Sequence, residues 1–221
     1  MEEKKLTGII IHQLRHHAPF TAMGSLAGIM VMLVCIWIGL EHQGVTTAFW
    51  LTHPAHVLLS AYVTTAMYSR MAKPSLWKAL LIGYLGSVGI GTLSDSLIPY
   101  AGEWILQMEH HEAHIGFIEK WWLINPLALL GIAGGYLVRK TRMPHFAHVL
   151  LSTWASLFHM MMARGDQTPM TIGLAAGIAV FLFIAVWIPC CTSDIVFPLL
   201  FTGYVPPCNC PGHAHDHEEK V

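Results

Sequence analysis

His53-Pro54-Ala55-His56-Val57-Leu58-Leu59-Ser60 and His145-Phe146-Ala147-His148-Val149-Leu150-Leu151-Ser152 are one phrase written twice, differing at a single position. Further along, Ser94-Asp95-Ser96-Leu97-Ile98-Pro99 matches Ser193-Asp194-Ile195-Val196-Phe197-Pro198 at serine, aspartate and proline. A weaker match joins Pro19, Phe20, Gly24 and Gly28 to Pro126, Leu127, Gly131 and Gly134. The three matches fall in the same order, so the chain reads as two copies of one unit. Chance likeness between apolar stretches accounts for the glycines. It does not account for two histidines, a serine and an Asp-to-Pro spacing that recur in register.

The residues around these phrases set the class. The 221-residue chain is 54% hydrophobic and 11% charged, against about 25% charged in ordinary soluble domains. A membrane helix needs roughly 20 mostly apolar residues, and six runs approach that: 20–40, 53–71, 76–98, 121–138, 145–163 and 170–189. The second and fifth qualify only with their leading histidines included. The expected fold is therefore all-α: a polytopic membrane protein of six transmembrane helices, arranged as two three-helix repeats. Three crossings leave the chain on the opposite side, so the second copy starts inverted, a hallmark of secondary transporters. The expected organisation is a first repeat over residues 1–98, an external acidic and histidine-rich connector over 99–120, a second, inverted repeat over 121–201, and a Cys/His tail over 202–221. No cleavable signal is evident, because the run at 20–40 is too long and lacks a convincing small-residue cleavage site.

Orientation follows from the basic residues. With six crossings, Lys4, Lys5, Arg15, Arg70, Lys73, Lys78, Arg139, Lys140, Arg142 and Lys220 share one side, and only Lys120 and Arg164 face the other. Positive charge collects on the cytoplasmic side, so both termini are expected there, in the cell's inner membrane. The formal net charge of −1 and the lack of a basic stripe exclude nucleic acid as an expected partner. The five cysteines, an odd number, do not form a disulfide framework. Neither a nucleophile elbow nor a nucleotide loop is present.

The repeated positions carry the chemistry. His53, His56 and Ser60 fall at i, i+3 and i+7, on one helical face, as do His145, His148 and Ser152. Two imidazoles three residues apart can share one metal ion. Asp95 and Asp194 each precede a proline by four residues. Because proline lacks an N–H, the aspartate carbonyl is expected to lose its helical partner at a helix break. Two His-His-Asp clusters, each near its own face of the membrane or meeting at its midplane, suit Zn²⁺, Fe²⁺, Ni²⁺, Co²⁺ or Mn²⁺. Cys190 and Cys191 extend the second cluster. Cys208, Cys210, His213, His215 and His217 form a soft-ligand string in the tail. Of the rest, His110, His111 and His114 with Glu109 and Glu112 make an external cluster, His16 and His17 lie beside helix 1, and His159 with Met160–Met162 is either a one-sided metal contact or, as the favoured reading, a lipid-facing methionine stretch.

The expected function is a permease for a divalent transition-metal cation, with alternating exposure of the two halves and the metal ion as cargo. Its expected partners are the lipid bilayer, the metal ion and, as a permitted assembly, a second copy of the chain. The alternatives are an intramembrane metal-dependent hydrolase acting on a lipid-like substrate and a metal-sensing accessory subunit of a membrane complex.

Overall fold

The computed structural model describes residues 2–71, 75–138, 142–164 and 169–202, and among them there is no strand. The chain runs through α1 (Glu2–Trp37) and α2 (His42–Met71) into a third rod. That rod is assembled from α3 (Leu76–Tyr84), a π-helical turn (Leu85–Gly89), α4 (Ile90–Thr92), a second π-turn (Leu93–Leu97) and α5 (Ile98–Ile105). After the connector come α6 (Gly116–Glu119), α7 (Trp121–Val138), α8 (Arg142–Arg164) and α9 (Ile172–Cys191). A π-turn (Thr192–Val196) then leads into α10 (Phe197–Thr202).

Among the described residues, five helical spans are long and apolar enough to cross a membrane: His17–Trp37, Leu76–Ile105, Trp121–Val138, Pro144–Arg164 and Ile172–Asp194. Their outer faces are strongly apolar, with Trp37, Trp77, Leu137 and Ile172 each more than three-quarters exposed. Leaving one such side chain in water forgoes about 1.5–3 kcal/mol, so the surface is consistent with a multi-pass membrane protein. The second of the six expected spans differs. At 30 residues α2 is long enough, but it is not apolar enough to join the other five. The reason is its place at the centre, packed against α3, α7 and α8. There His53, His56, Ser60, Thr64, Thr65 and Ser69 are all buried in protein rather than in lipid.

Packing crosses between the halves in matched pairs. Helix α7 lies on α2, and α1 lies on α8. The first contact is very close, because a Cβ at Gly131 would sit 2.2 Å from the Leu58 carbonyl oxygen and one at Gly135 2.2 Å from that of Tyr62. Close approach through small residues is how membrane helices gain contact. On the other side Gly24 and Gly28 receive Thr153, whose side chain would stand 3.4 and 3.1 Å from a Cβ at each. Likewise α1 meets α9, and α3 meets α7.

Several expectations are corrected here. Helices do not break at Pro99 and Pro198. Instead a π-turn at each aspartate lengthens the local bond to i→i+5, with Ile98 N–H donating to Leu93 O and Phe197 N–H to Thr192 O. Each proline then occupies the second position of the next helical segment, where its missing N–H costs nothing. His53 and His56 lie well inside α2 because that helix begins at His42. Residues 99–105, expected in the connector, extend the third rod. The connector then folds back over the bundle, with His110 N–H donating to Ala163 O at 2.9 Å and Ser96 Oγ to His114 O at 2.6 Å. Met160–Met162 face inward with Phe49, Leu157, Ile178 and Leu182 rather than toward lipid.

Candidate metal centre

Asp95 is fully buried on its π-turn and receives three donors. His53 Nδ1–H donates to its Oδ2 at 2.9 Å and His56 Nδ1–H to the same oxygen at 2.6 Å. Ser152, from the other half, donates to Oδ1 at 3.1 Å. The one-face spacing on α2 places both imidazoles against one carboxylate, as the i, i+3 rule requires. Gly116 of the connector closes over His53, where a Cβ would lie 2.3 Å from Nε2.

Asp194 sits on the matching π-turn and is equally buried, but less fully bonded. His145 Nδ1–H donates to Oδ2 at 2.8 Å. His148 Nδ1 stands at 3.4 Å from the same oxygen, within ion-pair range but not in hydrogen-bonding geometry. Both ring nitrogens of His148 and Oδ1 of Asp194 therefore have no hydrogen-bond partner. A buried polar group left unsatisfied costs about 1–3 kcal/mol, so this half of the site is the less fully satisfied of the two. One donor atom from each of His145, His148 and Asp194 falls within 4.8 Å of the others.

The two clusters meet. The His56 and His148 rings stack, 8° from parallel with centroids 5.3 Å apart. Cys190 joins them, and one donor atom from each of the three lies within 4.8 Å of the others. Ser60, Ser94 and Ser193 line the same narrow space, which has no room for a water molecule. The serines also exchange between halves: Ser94 and Ser152 are 2.7 Å apart, Ser60 and Ser193 3.4 Å, with Thr64 2.9 Å from Ser193. Imidazole nitrogen, carboxylate oxygen and thiol sulfur together form a donor set for borderline transition metals. At the far end His17 stacks edge-on to His145, 5.3 Å between centroids, so α1 contributes to this cluster.

Of the expected site residues, His53, His56 and Asp95 converge, His145, His148 and Asp194 converge, and Cys190 bridges them. Cys191 is buried but is not one of either donor group. Cys208, Cys210, His213, His215 and His217 lie outside the described residues.

Glu103 was passed over in sequence, and its partner His159 was grouped with the methionines expected to face lipid. Glu103 is fully buried, and His159 Nδ1–H donates to its Oε1 at 2.7 Å. The available signal was an acidic residue eight positions beyond Asp95 within an apolar stretch. The Phe49 ring lies between this pair and the central cluster, stacked on His53 at 5.4 Å and edge-on to His159 at 5.4 Å. No protein-family model matches the chain, and no curated protein and no solved structure matches it.

Proposed function

We propose that the chain is a permease for a divalent transition-metal cation, in which the ion passes along His53, Asp95, His56, His148, Asp194 and His145. The observation that carries this reading is the meeting of His56 and His148, one from each half, with Cys190 beside them. A donor set shared between two halves can hand an ion from one to the other. In this reading α2 is a sixth crossing, shielded from lipid by its neighbours, because polar residues are tolerated at membrane depth when buried in protein. The two halves are inverted repeats, supported by the matched π-turns, the crossed packing of α1 on α8 and α7 on α2, and the exchanged serines. Alternating access then amounts to rocking one half against the other around the shared donors. Both termini face the cytoplasm of the inner membrane, where the Cys/His tail collects or presents the ion.

The hydrolase reading draws less support. The central donors enclose no water-sized space, whereas metal-dependent hydrolysis needs a water beside the metal. A closed centre suits an ion that enters only when the halves part.

The test is uptake of radiolabelled Zn²⁺, Mn²⁺ or Co²⁺ into proteoliposomes holding the full chain. His56→Ala and His148→Ala are each expected to abolish it. Uptake persisting in both folded variants would remove the shared donors from the path.

A further inference from the structure

The connector, the start of α2, α5 and the end of α8 enclose a pocket of about 250 Å³, lined by His42, Glu103, His110, Glu112, His114 and His159 among others. Its floor and rim differ in kind. Glu103 at the floor is fully buried, with one carboxylate oxygen held by His159 and the other, Oε2, without a partner. Glu112 at the rim is largely exposed, and His42 and His110 are exposed as well. A buried carboxylate oxygen with no donor is costly. Here it belongs to a side chain lining a space large enough for about eight waters at ~30 Å³ each.

We infer that this pocket is a second cation site, which captures a partly hydrated divalent ion on Glu103 with help from the rim histidines and Glu112. The donors line a cavity instead of converging on one point, so the ion keeps part of its water shell. That geometry favours carboxylate, imidazole and water ligands over thiolate. His159 acts as a positioning residue: both its nitrogens are engaged, Nδ1–H with Glu103 and Nε2 as acceptor from His114 N–H at 3.4 Å. His114 closes the wall, with Nδ1 3.3 Å from Glu119 and Nε2 3.7 Å from Glu112. The second half contributes α8 alone to this pocket, so the capture site serves one end of the molecule only. Phe49 separates it from His53. Binding here stands independently of the permease reading, which supplies only the reason for capture.

The experiment is Mn²⁺ binding to the detergent-purified full chain, counted by the loss of the free-ion EPR signal. The tail is the same in every variant, so whatever Mn²⁺ its histidines and carboxylates hold cancels in the comparison. Glu103→Gln is expected to lose one equivalent, while His56→Ala keeps that equivalent. His42→Gln and Glu112→Gln, at the exposed rim, are expected to raise its Kd at least fivefold. His159→Gln, which retains a hydrogen-bond donor, is expected to weaken binding less than His159→Ala. The inference fails if folded Glu103→Gln binds as many ions as wild type, or if both rim variants bind with unchanged affinity. Should Glu103→Gln not fold, the rim variants decide alone. Loss of uptake by wild type in vesicles, with Mn²⁺ binding intact, would sink the permease reading and leave this site standing.

Discussion

Ser152 donates to Asp95 at 3.1 Å, whereas the corresponding oxygen of Asp194 has no donor, because Ser60 turns to Ser193 instead. Two clusters built from the same residues therefore differ in how fully they are bonded. Asp95 is closed by two histidines and a serine. Asp194 holds one histidine tightly and leaves His148 free at both nitrogens. In the proposed alternating-access reading, this difference in bonding is what would set the two halves apart.

Removing the serine tests that difference. Ser152→Ala strips Asp95 of a donor and leaves a buried carboxylate oxygen unsatisfied, a loss of about 1–3 kcal/mol. Ser60→Ala removes only a 3.4 Å contact between hydroxyls and is expected to cost less than about 1 kcal/mol. Thermal unfolding of the two variants in detergent compares them directly. Equal shifts would mean that the closure of Asp95 is not what stabilises this half.

Asp95→Asn and Asp194→Asn are each expected to lower uptake at least tenfold, since even partners outside a metal's own ligands are worth about 10–100-fold in affinity. Equilibrium metal binding separates the two. Asp194→Asn weakens it more, because Asp194 stands within the open donor group and Asp95 is occupied by its own hydrogen bonds. The reverse order would assign the resting ion to the first half.

Gly116→Ala places a methyl group against His53 Nε2, so the ring must leave Asp95 or the connector must lift. Uptake is expected to drop severalfold, and Gly89→Ala, with nothing within 4 Å of its added carbon, serves as the matched control. If both alanines transport alike, His53 is not held by the connector.

Gly131→Ala and Gly135→Ala drive a carbon into the backbone carbonyls of α2, which cannot move aside as a flexible side chain can. Each is expected to destabilise the fold by about 1–3 kcal/mol. Gly24→Ala, at ordinary contact distance from Thr153, is expected to cost much less. A shared melting temperature would show that α7 has slack against α2.

Deletion of residues 208–221 is expected to change the apparent affinity of uptake severalfold and leave its maximal rate intact. Loss of the rate itself would make the tail part of the path.

The residues alone determined what short-range physics encodes. Apolar runs of helical length give helices able to cross a membrane, and the i, i+3, i+7 spacing puts His53, His56 and Ser60 on one face of α2, where all three are buried. The recurrence of that spacing named the second donor set as well. Helical periodicity is a property of neighbours in the chain, and so it is legible without a fold. What lies beyond one helix was not. A proline four residues after an aspartate suggested a break, but only the backbone path chose a π-turn that absorbs the missing N–H. The stacking of His56 on His148, the exchange of Ser152 into the first cluster and the pairing of Glu103 with His159 join residues distant in sequence. Such contacts depend on how closely helices approach, which glycines and crossing geometry decide together. Tertiary structure alone brought the two clusters into contact and left one of them open.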